Sequence, residues 1–204
     1  MRSRPETVLN SPSIGLLHKT MAHKSVERDV GVNWHQRLDT PEAVGWIRQV
    51  EVEDVSVGIS DGLVTKGGTV RTSGLGSCVA ISLIDTRQAI GGMVHPMLPD
   101  ATSQPVEEPG RFVATAVPDL ISAVTTAGAD HEALEASIVG GAEMLEFTAS
   151  ENSIGDRNVA TARSLLKSAD IPIIEEATGG SAGRSVRCDV TDGTVTIRTA
   201  STSE

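Results

Sequence analysis

The chain has 204 residues and carries 17 lysines and arginines against 27 aspartates and glutamates, so its formal net charge is −10. This balance argues against nucleic acid as a partner, because binding to phosphates needs clustered basic residues and no segment clusters them. The chain also has two tryptophans, two phenylalanines and no tyrosine, so it offers few platforms on which bases could stack.

Cysteine content and hydropathy predict a cytoplasmic protein without membrane insertion. Two cysteines, Cys78 and Cys188, are too few for a disulfide framework or a zinc site, and no run approaches the ~20 apolar residues of a membrane span. The N-terminus shows no secretory leader. An acidic chain with few lysines and few large aromatic residues also has the composition that a high-salt cytoplasm favours, which indicates a halophile.

The first 45 residues predict a poorly ordered N-terminal extension, because they mix polar residues, prolines and charges without sustained periodicity. Residues 46–204 predict one domain. His18, His23 and His35 lie in the extension, and solvated side chains explain them better than a metal site does.

Alternating apolar residues predict a half-buried strand over 50–59, with an irregularity near Asp54. We expect further strands in chain order over 69–72, 79–84, 89–95, 136–139, 171–174, 185–190 and 194–198. Helical spacing predicts a helix over 112–127, which Pro118 restarts or kinks, and a second over 157–168 with an Asp156 cap. Strand-rich ends around two or three helices predict an α+β fold with a layered sheet.

The hairpin formed by the strands on either side of residue 87 brings a cysteine near a histidine. If its turn closes between Asp85 and Gln88, or as a four-residue loop between Ile84 and Ala89, Cys78 lies directly opposite His95, with Cβ atoms roughly 4.5–5.5 Å apart on one face. A bulge at Gly91-Gly92 would instead shift the register by one residue and point His95 to the other face.

A cysteine beside a histidine is typical of an activated nucleophile, because imidazole can take the proton of the thiol. The glycine-rich bend before Cys78 leaves the backbone amides around Gly76 and Ser77 free of bulky cover, which suits an oxyanion hole. Spacing alone is equally consistent with a purely structural role, in which Cys78 is a small buried residue and His95 is a hydrogen-bonded core histidine. A generic cysteine hydrolase acting on a small amide is a further interpretation of the pair.

Two segments, Thr72–Val79 and Gly91–Pro99, closely resemble the CheD family, the chemoreceptor glutamine deamidases of bacterial and archaeal chemotaxis. Further matches to the family follow in chain order at Phe112–Pro118, Ile138–Met144, Ile154–Asn158 and the loop of Gly179-Gly180 with Gly183-Arg184. The resemblance covers about residues 50–200, and together with the acidic composition it indicates an archaeal source.

The resemblance implies a three-layer α/β/β sandwich, similar to the catalytic domain of glutamine-deamidating bacterial toxins. It places the catalytic residues on Cys78, His95 and Thr72, with no cofactor or metal. The implied activity is that of a protein-glutamine glutaminase, a hydrolase that converts glutamines of methyl-accepting chemotaxis proteins to glutamates. The resemblance also implies a CheC-type phosphatase as a partner, so an alternative function is binding regulation of that phosphatase with little catalysis.

Weaker predictions concern residues of the later motifs. Arg157, Asn158, Gly180 and Arg184 either line the substrate groove or cap a helix and shape a turn, and the structural role is favoured. Cys188 is predicted to fill the core.

Overall fold

A computed structural model describes residues 45–51, 53–101, 108–143 and 153–200. The predicted N-terminal extension, up to residue 44, lies outside the described residues. Within these ranges the chain forms two α-helices, α1 (Val113–Thr126) and α2 (Ile154–Ser168). Its ten strands are β1 (Arg48–Val50), β2 (Asp54–Ser56), β3 (Gly62–Lys66), β4 (Thr69–Leu75), β5 (Val79–Asp85), β6 (Ile90–Val94), β7 (Glu135–Gly140), β8 (Ile173–Thr178), β9 (Arg184–Asp189) and β10 (Val195–Thr199).

The described strands form two sheets that pack face to face. One sheet has six strands in the order β1-β3-β6-β5-β7-β8, and the other has four in the order β10-β9-β4-β2. Both helices pack on the six-stranded sheet, on the side away from the four-stranded sheet. The structure therefore confirms the predicted α+β class and the three-layer α/β/β sandwich. No helix in the described ranges is long and apolar enough to cross a membrane.

Strand β5 lies at the centre of both cores and is buried along its whole length. Ile81 and Leu83 point toward the helices, while Ala80 and Ile84 point toward the four-stranded sheet. A strand covered on both faces needs apolar residues at odd and even positions alike. This explains why the segment is almost continuously apolar.

The helices follow the prediction except at one end. Pro118 lies inside α1 without ending it, and the helix buries a continuous apolar stripe against the sheet. Helix α2 begins at Ile154 instead of residue 157, because the Oγ of Ser153 accepts the N–H of Asp156 at 3.1 Å and caps the first turn. The predicted Asp156 cap is therefore wrong, and Asp156 lies in the first turn.

The region before β4 differs from the prediction. The single strand over 50–59 is wrong, because β1 pairs in parallel with β3 in one sheet while β2 pairs in parallel with β4 in the other. The apparently continuous alternation thus belongs to two short strands in different layers. Strand β3 was not predicted, since its short apolar stretch lies between two turn signals.

The turn of the β5–β6 hairpin lies one residue further along the chain than predicted. Asp85 pairs with Ile90, so residues 86–89 form the turn, whereas the two predicted closures pair Asp85 with Gln88 and Ile84 with Ala89. Asp85 is fully buried, and its Oδ1 accepts the backbone N–H groups of Arg87 and Gln88 at 2.9 and 3.3 Å. The carboxylate thereby organises the loop from within the strand. The ladder runs regularly through Gly91-Gly92, without the bulge that was considered.

The shifted turn moves the register by two residues. The N–H of Val79 donates to the carbonyl of Pro96 at 3.2 Å and continues the ladder, so His95 lies opposite Ala80. The prediction that Cys78 lies directly opposite His95 is wrong, because Cys78 is its diagonal neighbour. A shift by an even number of residues keeps both residues on one face of the sheet.

Candidate active site

The glycine-rich segment after Thr72 carries the chain from the four-stranded sheet to the six-stranded one. A β-bulge interrupts the β4–β9 ladder between Thr72 and Leu75, where Gly74 has a φ of +76°. The extra residue returns Leu75 to the buried face. The chain then crosses between the layers and enters β5 just after Cys78.

His95 and Thr72 meet between the two sheets. His95 follows β6 and is 1 % exposed, and Thr72 on β4 is 3 % exposed. The Oγ1 of Thr72 lies 2.9 Å from the Nδ1 of His95 and 2.7 Å from the carbonyl oxygen of Val57. The hydroxyl has one proton, and the Val57 carbonyl can only accept it. Nδ1 of His95 is therefore the donor to Thr72, which leaves Nε2 with a free lone pair.

Burial fixes the charge state of this imidazole. Desolvation lowers the pKa of His95 to about 4, so the ring is neutral at pH 7. Its Nε2 is buried and has no hydrogen-bond partner among the described residues. A buried, neutral imidazole with a free lone pair can act as a general base.

Cys78 is half-buried, and its backbone is held firmly. Its carbonyl accepts the N–H of Gly141 at 2.8 Å, which continues the β5–β7 ladder past the end of the strand. Burial raises the pKa of the thiol, and a hydrogen bond from the residue's own backbone amide lowers it in part. The thiol and the imidazole are not hydrogen-bonded to each other here. The pKa directions make both groups neutral at pH 7.

Asn158 clamps the two segments that carry the cysteine and the histidine. It lies in α2 with no exposed surface, and its Nδ2 donates to the carbonyls of Ser77 at 2.8 Å and Met97 at 2.9 Å. The two carbonyls fix the orientation of the amide, because a flipped side chain would oppose oxygen to oxygen. The side chain is enclosed and makes structural hydrogen bonds, in keeping with the structural role that the sequence favoured for Asn158 over the groove. Arg157 is exposed on the same helix, and its place in a groove stays a prediction.

The loop after β7 supports Cys78 from the other side. A Cβ on Gly140 would lie 2.3 Å from the carbonyl oxygen of Cys78, so only glycine allows this approach. The N–H of Glu143 donates to the carbonyl of Gly180 at 2.8 Å, and Arg184 donates through Nη1 to the carbonyl of Gly179 at 2.7 Å. Gly180 and Arg184 therefore shape the turn that holds this loop, as the favoured structural interpretation has it.

The amides of the bend differ in their availability. The N–H of Gly76 donates to the carbonyl of Gly74 at 3.1 Å, so the prediction of Gly76 as an oxyanion donor is wrong. The backbone N–H groups of Ser77 and Cys78 have no backbone acceptor in the described part of the chain. They remain the candidates for binding a developing negative charge.

Cys188 lies in the core between the sheets, where its exposed fraction is 0 %. Its Sγ contacts the Oγ of Ser82 at 3.5 Å, and burial raises the pKa of the thiol. The predicted role as a core residue is confirmed. Among the described residues, no group of three or more histidine, cysteine or acidic side chains is placed to hold a metal ion.

Sequence reasoning missed the roles of two residues in this arrangement, Val57 and Asn158. Val57 takes part through its carbonyl, which is independent of residue type, and nothing in the sequence marks it. Asn158 was noticed only as part of a motif. Asn158 is a polar residue on the otherwise apolar, buried face of α2. Because buried polar groups need hydrogen-bond partners, this position was the available signal for a structural hydrogen bond.

Comparison with known proteins links this arrangement to one family. Residues 97–199 match the family model described as CheD chemotactic sensory transduction. A protein of Haloarcula marismortui named "Probable chemoreceptor glutamine deamidase CheD" is 40 % identical over 151 residues, which cover 74 % of this chain and 87 % of that protein. The "Chemoreceptor glutamine deamidase CheD" of Bacillus subtilis is 39 % identical over 155 residues, covering 74 % and 93 %.

Solved structures add little. The crystal structure of Bacillus licheniformis hypothetical protein YfiH aligns with a TM-score of 0.41 and 14 % identity, covering 72 % of this chain and 70 % of that one. Similarity at this level informs neither mechanism nor substrate. The sequence relatives, by contrast, are similar along nearly their full length. The chain therefore belongs to the CheD family.

Proposed function

We propose that this chain hydrolyses the side-chain amide of glutamines on chemoreceptors, with Cys78 as nucleophile and His95 as base. The names of its relatives supply the reaction and the substrate class. The observation that supports the mechanism is the chain of hydrogen bonds from His95 through Thr72 to the Val57 carbonyl. These bonds leave the Nε2 lone pair of a neutral imidazole free, and His95 and Cys78 lie on the same face of the sheet.

The resting site holds a neutral thiol and a neutral imidazole, because burial disfavours both charged forms. The substrate carboxamide therefore reacts by general-base catalysis rather than with a preformed thiolate. Nε2 of His95 takes the thiol proton of Cys78 as the sulfur attacks the carboxamide carbon. The oxygen of the resulting tetrahedral intermediate carries a negative charge, which the N–H groups of Ser77 and Cys78 would stabilise.

Collapse of the intermediate breaks the carbon–nitrogen bond. The imidazolium of His95 returns its proton to the departing nitrogen, so ammonia leaves and a thioester remains on Cys78. A water molecule then gives a proton to the same Nε2 and attacks the thioester. The thiol recovers its proton, and the product is a glutamate. The Oγ1 of Thr72 accepts the hydrogen bond from Nδ1–H throughout and stabilises the imidazolium each time it forms.

Mass spectrometry of receptor peptides tests the reaction directly. The wild-type chain should release ammonia and add roughly one dalton per converted glutamine, as replacement of –NH₂ by –OH requires. Cys78→Ala should abolish both signals, and Cys188→Ala should keep them, since Cys188 lies in the core. Equal conversion by wild type and Cys78→Ala would refute the proposal.

A CheC-type phosphatase is a second proposed partner, and the same variant tests it. Cys78→Ala removes the nucleophile without removing surface, so binding to such a phosphatase should persist while deamidation is lost. If wild type also fails to deamidate any receptor peptide but still binds the phosphatase, binding regulation is the function that remains.

A further inference from the structure

The outer face of the four-stranded sheet is basic, although the whole chain is strongly acidic. Strand alternation directs the apolar residues of this sheet inward, to the core between the sheets. The outward positions carry serine, threonine, two aspartates (Asp54 on β2 and Asp189 on β9) and three exposed arginines, Arg71 on β4, Arg187 on β9 and Arg198 on β10. We call these outward positions the arginine face. None of the described helices packs on this sheet.

Folding alone does not account for this arrangement of charge. Arg71 and Arg187 are direct cross-strand partners, and like charges in that position destabilise a sheet. Asp54 on β2 offsets part of the repulsion, through contacts of 2.7 Å with Arg71 and 3.4 Å with Arg187. Arg198 has no such acceptor among the described residues. Three guanidinium groups thus face two carboxylates, which leaves a surplus of positive charge.

The arginine face is shaped as a groove whose lining reaches Thr72, one member of the candidate active site. The groove has a volume of about 370 Å³, and its lining includes all three arginines, Ser73 and Thr72. Thr72 is the residue whose hydroxyl contacts His95 from the inner side of the same strand. Ser73 opens the segment that leads to Cys78. The groove therefore borders the start of the segment that carries Cys78.

We propose that the arginine face docks an acidic segment of the protein substrate beside the glutamine that is hydrolysed. The inference rests on the proposed function and adds a recognition element to it. Arginine surplus in a groove is complementary to carboxylates, which it binds through paired N–H groups. The outward positions carry no large apolar side chain to enter a membrane and no aromatic ring on which a base could stack. Protein carboxylates are thus the favoured occupant.

Binding of a labelled peptide to the full chain tests this inference. The probe is a glutamate-rich peptide with one glutamine, compared with the same peptide in which serine replaces each glutamate. Arg198→Glu should weaken binding of the acidic peptide roughly five- to tenfold, raise KM and leave kcat unchanged. It should not affect the serine peptide. Arg87→Glu is the matched control, because it makes the same charge change on the exposed β5–β6 loop.

Each outcome decides the inference. Selective loss with Arg198→Glu, together with a salt dependence that is steeper for wild type than for the variant, supports docking. Equal affinity of wild type and Arg198→Glu, or an equal effect of Arg87→Glu, overturns it. Binding of anionic vesicles in place of the acidic peptide would also overturn it. If the peptide binds through Arg198 but its glutamine is never converted, docking stands and the proposed catalysis fails.

Discussion

The Nδ1 of His95 lies 2.9 Å from the Oγ1 of Thr72, although the two residues belong to different sheets. His95 follows a strand of the six-stranded sheet, and Thr72 belongs to the four-stranded sheet. The packing of the two layers therefore sets the orientation and tautomer of the proposed base. A hydroxyl supplied by the second layer does here what a carboxylate does in many other hydrolases.

Replacing Thr72 should separate the contribution of its hydroxyl to catalysis from that of its side-chain packing. Thr72→Val keeps the shape but removes the acceptor for Nδ1, so the imidazole loses its fixed tautomer. We expect kcat for deamidation to fall roughly 10²-fold with little change in KM, whereas Thr72→Ser should stay within a few-fold of wild type. Steady-state kinetics on one receptor peptide measure both. Nitrogen NMR of the imidazole should show a protonated Nδ1 in wild type and Thr72→Ser, and full activity of Thr72→Val would contradict this role.

Asn158 should affect stability and catalysis together. Asn158→Ala removes the donor to the carbonyls of Ser77 and Met97, at a cost of about 1–3 kcal/mol in the free energy of unfolding. Because the clamp joins the segments of the nucleophile and the base, kcat should fall at least tenfold at temperatures where the variant is folded.

Leu166→Ala provides the control for Asn158. Leu166 lies on the same helix and is fully buried, and its truncation should cost about 2–5 kcal/mol without touching the site. Urea unfolding and kinetics of both variants distinguish the two effects. If Leu166→Ala lowers kcat as much as Asn158→Ala does, the clamp has no specific role in positioning.

Burial of His95 should make the protein less stable in acid. The pKa of this residue is about 4 in the folded chain against 6.5 in the absence of burial. Between these values the unfolded chain binds more protons, so the free energy of unfolding falls as the pH falls through the window from 6.5 to 4. The loss should reach about 2–3 kcal/mol near pH 4. Urea unfolding of wild type and His95→Gln from pH 7 to pH 4 measures it, and an identical pH dependence of the two proteins would contradict the prediction.

Alkylation should distinguish the two cysteines and the two possible resting states. Iodoacetamide should modify Cys78 in the folded chain, and Cys188 only after unfolding, because Cys188 is fully buried. Burial raises the pKa of Cys78, so its rate should rise with pH through an apparent pKa above that of a free cysteine. The rate is measured in Cys188→Ala to isolate one thiol. A plateau of rapid alkylation across neutral pH would show a thiolate–imidazolium pair instead.

Salt should stabilise this chain if its composition reflects a saline cytoplasm. A net charge of −10 means that like charges repel in the folded state, and salt screens them. We expect Tm to rise between low salt and molar KCl. Thermal unfolding followed by circular dichroism measures it, and a Tm that stays level or falls would contradict the interpretation.

Much of the fold could be predicted from local patterns. The apolar run of β5 and the stripe of α1 appear in the sequence at nearly their observed bounds, because burial on a sheet or helix face imposes a period on the residues themselves. The presence of a cysteine and a histidine on one face of one hairpin also follows from local spacing, although their register does not. These features depend on neighbours in the chain.

The remaining features depend on contacts between distant segments. The register of the hairpin depends on Asp85, whose buried carboxylate accepts hydrogen bonds from the loop and so fixes its position. The division of residues 48–56 between two sheets had no local signal, since alternation looks the same in either layer. The contacts of Asn158 with Ser77 and Met97 could not be predicted, because they depend on how α2 packs over the segments that flank β5 and β6.

The sequence by itself indicated which residues carry the proposed chemistry, through the spacing of Cys78 and His95 and the glycine-rich bend before Cys78. The tertiary structure alone decided their state. It buried the imidazole, placed Thr72 against Nδ1 and left Nε2 unprotonated and without a hydrogen-bond partner among the described residues. Protonation and tautomer depend on desolvation and on hydrogen-bond partners brought from another sheet, and neither is encoded in any short stretch of the chain.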